Sequence, residues 1–327
     1  MRSIRSTPLS LTAALLLALL AAPPAFGKAT FTLSDPRGDD HGDGNLIYPL
    51  NDELDPGDLD LTSLTARSAN SGTWFEATFA QPIRSPETEV VDDLGTSLKS
   101  IARFGFYTFN LDIYIDTDRQ PGSGAVAMLP GRFANVDRAH AWERAVILTP
   151  RPHEARGELK RLLMRKLNKE LSDEDSTLTD DTAAELRTQI PDDVDSRIFF
   201  PTQIRVRGNK VSFFVPDSVL GGPAKDTWSY VVAVSGANVL QTFDLDRVLG
   251  RSSEKEEMLM ILPISPGKWS DRFGGGREAA PNQPPLVDII VPKNERSQES
   301  YLQDFDSRSK RNAVLPGVVP ADEKKKK

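Results

Sequence analysis

The chain has 327 residues, of which 39% are hydrophobic and 27% are charged, a composition typical of a soluble globular protein rather than a disordered or membrane one. Its net charge of −7 argues against broad nucleic-acid binding, which needs a basic surface to neutralise phosphates. The absence of cysteine excludes disulfides, thiolate metal sites and cysteine nucleophiles, and three histidines leave little material for histidine-based sites.

Residues 1–27 have the features of a cleavable signal peptide. Arg2 and Arg5 give a positive start, residues 9–22 are apolar, and residues 25–27 form a small-x-small cleavage site. The apolar stretch is too short for a comfortable membrane span, so we expect no transmembrane segment. The sequence therefore predicts an exported protein, periplasmic or secreted, whose mature chain begins directly after residue 27.

Alternation of apolar and polar residues dominates the chain beyond the predicted signal peptide and is typical of half-buried strands. Two alternating runs flank Gly208-Asn209, a pattern that predicts a tight hairpin. Trp142 and Trp228 lie inside apolar runs and are expected in the core. The predicted strands cover residues 59–66, 74–79, 109–116, 145–148, 204–207, 211–215 and 228–234. Many strands separated by Gly and Pro turns favour a mainly β fold, an antiparallel β-sandwich.

One segment, at about residues 153–192, has the helical period instead. Leucines recur there at helical spacing, from Leu159 to Leu171. Thr179 can cap a second helix, which Pro191 is expected to end. We therefore predict a helical hairpin inserted between two strands. It either covers a sheet edge or serves as a lid or an arm that binds a protein partner.

The remaining organisation is simple. We expect one β-sandwich module over residues 28–317 that carries the helical insertion. The end of the chain, residues 318–327, finishes in four lysines and is predicted to be a disordered tail.

The loop over residues 35–44 concentrates carboxylates and glycines. Asp35, Asp39, Asp40 and Asp43 lie within ten residues that also contain three glycines. Calcium takes six to eight oxygen ligands, and a glycine-rich loop can fold carboxylates around such an ion. The spacing is not that of an EF-hand. The sequence thus predicts structural calcium, and the alternative is a loop in which Asp and Gly only form turns.

A second acidic group ends the strand at residues 109–116. Asp112, Asp116 and Asp118 share one face because side chains alternate along a strand. Asp116 and Asp118 lie at the strand end and are predicted metal ligands. They either complete the first site or hold a second ion, and the alternative is an exposed strand face.

Several motifs together resemble the C-terminal module of bacterial glucodextranases. The resemblance spans most of the mature chain, and the motifs that carry it are Asp35-Pro-Arg-Gly-Asp-Asp40, Asp112-Ile-Tyr-Ile-Asp116-Thr-Asp118, Leu129-Pro-Gly-Arg132, Phe273-Gly-Gly-Gly276 and Val287-Asp-Ile-Ile290. That family is similar to family 9 carbohydrate-binding modules and to DOMON-like sandwiches. The resemblance implies a β-sandwich with structural calcium that assists carbohydrate enzymes or surface attachment and has no catalysis of its own. The chain departs from the family at Asp43, where proline is usual, at Leu46, where an aromatic is usual, and in the helical insertion.

Binding of polysaccharide or cell-envelope glycan is the leading functional prediction. Sugar binding needs exposed rings for the apolar sugar faces and polar groups for the hydroxyls. The candidate rings are Tyr48, Tyr107 and Trp269, and Trp269 lies in a polar loop that favours exposure.

Three alternatives stay open. An envelope scaffold would use the helical insertion to bind a partner. A haem carrier would need axial ligands such as Met128, Met258 or Met260. A glycoside hydrolase would need two carboxylates across a cleft, and the chain has no G-x-S-x-G nucleophile motif for a serine hydrolase.

Overall fold

The computed structural model describes residues 28–86, 97–173, 177–239, 259–276 and 283–325. The predicted signal peptide and Met258 lie outside these residues. In chain order the elements are β1 (Ala29–Ser34), β2 (Leu61–Ala69), β3 (Gly72–Phe79), α1 (Leu98–Ile101), β4 (Phe109–Asp116), β5 (Ala134–Val136), β6 (Arg144–Leu148), α2 (Pro152–Leu171), α3 (Asp180–Arg197), β7 (Ile198–Phe199), β8 (Ile204–Arg207), β9 (Lys210–Pro216), α4 (Asp217–Leu220), β10 (Ser229–Gly236), β11 (Asp288–Ile289), α5 (Gln298–Leu302), β12 (Ala313–Leu315) and α6 (Pro320–Glu323).

The strands form two five-stranded sheets and one short pair. The first sheet has the order β1-β2-β3-β9-β8 and is antiparallel throughout. The second sheet has the order β11-β10-β4-β6-β7 and is antiparallel except between β6 and β7. The pair β5–β12 is parallel. All seven predicted strands are present, and the predicted mainly β fold with antiparallel sheets and a helical insertion is confirmed.

The two sheets enclose the main hydrophobic core. Phe75, Phe79 and Phe213 of the first sheet and Phe109 and Tyr230 of the second are buried in this core. Trp228 packs at the same interface, as its apolar neighbours predict. Alternation therefore places every second residue of the first sheet inside the sandwich.

A second core cluster lies on the other face of the second sheet. It joins side chains of this sheet to α2, α3 and the pair β5–β12, and it includes Tyr114, Trp142, Ile147, Leu159, Leu162, Val194, Val231 and Leu315. All eight residues of β4 are buried as a result. The prediction of a half-buried strand at residues 109–116 is thus wrong, because both of its faces are covered.

Hydrogen-bond partners compensate the burial of Asp112 and of the Asn110 side-chain amide N–H in β4. The Arg132 guanidinium donates to both Asp112 carboxylate oxygens, from Nε at 2.8 Å and from Nη2 at 3.1 Å. Asn110 donates to the backbone oxygen of Met260 at 2.9 Å. These contacts satisfy groups that would otherwise be costly to bury.

The helical insertion is present as two helices, with one difference from the prediction. Thr179 caps α3 by accepting a hydrogen bond from the Thr182 backbone at 3.2 Å, as expected. Pro191 does not end the helix, which continues to Arg197. Val194 beyond the proline is buried in the second core. This burial supports the continuation against the loss of one helical hydrogen bond.

The predicted disordered tail is wrong for residues 318–325. Val318 is buried and exchanges two backbone hydrogen bonds of 2.9 Å with Tyr230. Lys324 pairs with Asp226 at 2.7 Å. The prediction relied on the four terminal lysines and overlooked the apolar residues just before them, of which Val318 is buried. No helix within the described ranges is long and apolar enough to cross a membrane.

Candidate functional site

An acidic cluster lies where an edge of the first sheet meets an edge of the second. Asp35 follows β1, Asp39 belongs to the loop beyond it, and Asp288 opens β11. Each of these three residues offers a carboxylate oxygen within 4.8 Å of the others. We call Asp35, Asp39 and Asp288 the acidic triad. It assembles from segments near both ends of the described chain.

The triad concentrates carboxyl groups with few hydrogen-bond donors beside them. Both Asp35 oxygens, Asp39 Oδ1 and Asp288 Oδ1 are buried and accept no hydrogen bond from an N–H or hydroxyl group within the described part of the chain. Asp35 and Asp288 lie close enough to share a proton. Asp288 Oδ2 accepts from the Leu61 backbone at 2.6 Å. Such orphaned buried oxygens are costly unless a counter-charge satisfies them.

The electrostatics of the triad agree with its geometry. Burial raises the pKa of Asp35 to about 8, and the charges of Asp39 and Asp60 add to that rise. Burial, then the charge of Asp35, raises the pKa of Asp288 well above its usual range. Burial also raises the pKa of Asp39. Oxygens in this arrangement are ligands that calcium takes in proteins, so the residues present fit such an ion.

The other two predicted loop ligands are placed differently. Asp40 is buried and accepts hydrogen bonds from the Tyr48 hydroxyl and from the Gly57 backbone, the latter at 2.6 Å. Asp43 accepts from the Asn45 backbone at 3.1 Å. The structure therefore brings Asp35 and Asp39 together, whereas Asp40 and Asp43 bond to other residues of the connection between β1 and β2.

Gln298 joins the loop over residues 35–50, which we call the acidic loop, to the second sheet. Its side-chain amide donates to the Asp39 backbone oxygen at 2.5 Å and to the Val287 oxygen at 3.2 Å. Its oxygen accepts from the Ile289 backbone at 2.7 Å. These bonds fix the backbone of the loop beside the strand that carries Asp288.

The second acidic group is separate from the triad. Asp116 and Asp118 lie together with Glu143, one oxygen of each within 4.8 Å of the others. Along β10, Ser229 pairs with Asp116 and Val234 pairs with Asp288. Five residues of strand span about 17 Å, so Asp116 and Asp118 do not complete the triad.

Hydrogen bonds from the turn that follows β4 hold this second group. Asp116 accepts from the Arg119 backbone at 2.6 Å, and the Arg119 guanidinium lies 3.8 Å from its other oxygen. Asp118 accepts from the Ser123 hydroxyl at 2.9 Å. Glu143 accepts from the Thr117 backbone at 2.8 Å. Arg119 thus already supplies a positive charge at this position.

The three candidate rings differ in accessibility. Tyr48 is half-buried and packs edge-on against Phe273 at 5.4 Å between centroids. Tyr107 packs against the small apolar cluster that contains Val239. Trp269 is 49% exposed. Of the three candidate rings, Trp269 is therefore the most exposed to solvent.

The loop that carries Trp269 is joined to the acidic loop. Leu50, itself 61% exposed, donates its backbone N–H to the Trp269 oxygen at 2.7 Å. Ile47 and Gly274 exchange backbone hydrogen bonds of 3.0 and 2.8 Å. A side chain at Gly275 would place Cβ 1.8 Å from the Asn45 oxygen, which explains why this close approach needs glycine.

The candidate haem ligands that the structure describes are core residues. Met128 and Met260 are buried in the second core cluster, where they pack with Trp142 and Leu259.

Sequence reasoning missed Asp288, Glu143 and the neighbouring Asp60. Asp288 stands alone in the apolar run Val287–Ile290, and an isolated aspartate in a buried strand is a signal that it has a specific partner. Its partners lie near the other end of the chain, and no local pattern identifies them.

The matched family covers almost all of the described chain. Residues 30–318 match the C-terminal binding module, SLH-like, of glucodextranase. No match was found among curated proteins. Because the family match extends across far more than half of the sequence, the chain belongs to the family of glucodextranase C-terminal binding modules.

Proposed function

We propose that the protein is an exported, non-catalytic module that binds polysaccharide or cell-envelope glycan through the Trp269 loop. Membership of a family of binding modules supports this function. The observation that carries it is the exposed indole of Trp269. An exposed aromatic ring at the surface of a binding module offers a flat apolar face for a sugar ring.

The surroundings of Trp269 suit a sugar. Leu50 extends the apolar surface, and the Arg272 guanidinium lies 5.5 Å from the ring centroid. Asp271, mostly exposed, pairs with Arg272 at 2.7 Å. Convergent polar groups beside an apolar face can bond hydroxyls while the ring holds the sugar.

We propose structural calcium at the acidic triad as the support of this loop. Asp35, Asp39 and Asp288 would hold the ion. The acidic loop runs on to Leu50, whose backbone bonds to Trp269. A cation that fixes the start of the loop would therefore also restrain the platform at its end.

Glycan binding is tested with a panel of immobilised polysaccharides and with two matched variants. Trp269→Ala should weaken binding about tenfold or more, which is about 1.4 kcal/mol, because a ring at the centre of a contact contributes strongly. Val314→Ala removes another exposed apolar side chain, on β12, and should leave binding unchanged. Absence of binding to every glycan, or equal binding by both variants, would contradict the proposal.

Export is tested separately. Mass spectrometry of protein from its native host should show a chain that begins near residue 28. Fractionation of the same cells would distinguish periplasmic from secreted protein, and a retained Met1 would contradict export.

A further inference from the structure

The outer face of the first sheet is a surface that the proposed function does not use. Residues at alternate positions of its five strands point into the main core, and those between them point outward. The register aligns the outward residues in rows across the strands. One row contains Thr32, Thr65, Glu76, Ser212 and Arg205.

The charge of this face is opposite to that of the whole protein. The five strands contain five charged residues, and the register places all of them on the outer face: Arg67, Glu76, Arg205, Arg207 and Lys210. Four are positive and one is negative, whereas the chain carries a net −7. Lys210 pairs with Glu76 at 3.1 Å, so three arginines remain as the surplus. Positive charge is concentrated where an anionic ligand would be attracted.

An aromatic pair lies within the same face. Trp74 and Phe214 are cross-strand partners with centroids 5.5 Å apart, and both are half-buried. Neither ring belongs to a core cluster among the described residues. A side chain at Gly72 would meet the Phe214 ring at 2.4 Å, so the ring rests on the strand where glycine leaves room.

A guanidinium group adjoins the rings. Arg205 lies over Trp74, with its Cζ 4.7 Å from the ring centroid. Stacking restrains the guanidinium, which keeps N–H donors for a carboxylate. The row that ends at Arg205 begins at the exposed Thr32, whose Oγ1 lies 3.0 Å from Oγ1 of the buried Thr65.

We propose that this outer face binds an acidic polysaccharide, a chain of sugars that carry carboxylates. The apolar faces of the sugars pack on Phe214 and the edge of Trp74, the carboxylates bond to Arg205 and Arg67, and a hydroxyl bonds to the exposed Thr32. The inference extends the proposed function to a second surface and names its substrate class. Charge complementarity favours this occupant over a neutral glycan.

The experiment compares polygalacturonate with neutral dextran by isothermal titration calorimetry at 50 and 500 mM NaCl. The purified protein should bind polygalacturonate at least tenfold more tightly than dextran at 50 mM NaCl. The difference should shrink at 500 mM, because salt screens exposed charges. Arg205→Ala and Phe214→Ala should each weaken polygalacturonate binding about tenfold. Arg205→Lys keeps the charge without the planar fork and should give an intermediate loss.

The matched control is Arg161→Ala on α2, which removes another exposed guanidinium and should leave the affinity within twofold. Unchanged thermal melting shows that each variant is folded.

Equal affinity for both polysaccharides at 50 mM NaCl, or an equal loss in Arg161→Ala, would overturn the proposal. A change from dimer to monomer in Arg205→Ala without a loss of polygalacturonate affinity would overturn it too, by showing a self-interface. Trp269→Ala separates the two sites, because it should weaken glycan binding at the loop about tenfold or more and leave polygalacturonate binding at the sheet unchanged.

Discussion

The two sheets of the sandwich have similar strands but different surroundings. In the first sheet, β3 alternates between buried positions and half-buried ones, so that one face meets the core and the other faces outward. In the second sheet, every residue of β4 and β10 is buried. The helical insertion and the pair β5–β12 form a third layer on that sheet. Polar residues of the second sheet are therefore enclosed by the fold, whereas some of those on the first sheet, such as Thr32 and Arg205, are exposed.

One ion pair in each sheet illustrates this difference. Asp112 and Arg132 are buried and bonded to each other twice. Glu76 and Lys210 are joined by one contact of 3.1 Å, with the Lys210 side chain about half exposed. Breaking a buried pair leaves an uncompensated charge in a low-dielectric interior, whereas water solvates the survivor of an exposed pair.

The largest effect that we predict follows from these two pairs. Arg132→Met should destabilise the protein by about 3–5 kcal/mol, because Asp112 stays buried without its cation. Lys210→Met makes the same change on the first sheet and should cost no more than about 1 kcal/mol. Urea denaturation at pH 7 measures both values. Similar losses in the two variants would contradict the difference between the sheets.

Two neighbouring phenylalanines of β9 lie on opposite faces of the first sheet and allow the two faces to be compared. Phe213 is fully buried in the main core, and Phe214 lies on the outer face. Phe213→Ala should cost about 3–5 kcal/mol through lost burial and a cavity. Phe214→Ala should cost no more than about 1.5 kcal/mol, the scale of one aromatic pair. Thermal denaturation measures both, and a larger loss for Phe214→Ala would show that its face is covered.

The sequence predicts what is local and misses what depends on distant layers. Alternation and turn residues locate seven strands, and leucine spacing locates α2. Complete burial of β4 could not be predicted, because Arg132 and Leu259 cover it from segments that follow later in the chain. The continuation of α3 beyond Pro191 could not be predicted for the same reason, because it depends on the burial of Val194 in the second core cluster.

In the candidate site, too, local patterns predict some residues, and others depend on distant segments of the chain. Local density of aspartates identified Asp35 and Asp39, but it also selected Asp40 and Asp43, which bond to other residues of the connection between β1 and β2. Asp288 joins the triad only because β11 lies at an edge of the second sheet beside the end of β1. A single sequence does not show that β11 and the end of β1 lie side by side.

Because the triad spans an edge of each sheet, calcium there would clamp the two sheets together. Chelation should lower the melting temperature, and calcium should restore it more fully than magnesium, which demands stricter octahedral geometry. At one hundred times its dissociation constant, a ligand of the folded state adds about 2.7 kcal/mol. Asp35→Asn should abolish the response, and Asp43→Asn, outside the triad, should retain it. An unchanged melting temperature after chelation would contradict a cation at this edge.

A further effect concerns pH and distinguishes the sheet edge with the triad from the rest of the sandwich. Burial raises the pKa of Asp35 to about 8 and that of Asp288 above its usual range. A carboxyl with a raised pKa binds its proton more tightly in the folded state than in the unfolded state, where its pKa is about 3.9. Its stabilising contribution is complete below the pKa of the unfolded state and is lost as pH rises through the pKa of the folded state.

The metal-free protein should therefore melt at progressively lower temperature from pH 5 to pH 9. Asp35→Asn should flatten this slope, because the amide does not ionise, and saturating calcium should reverse the loss at high pH. Melting curves with chelator across this range measure the effect. A melting temperature that rises from pH 5 to pH 9 would show that the triad carboxylates are already compensated within the fold.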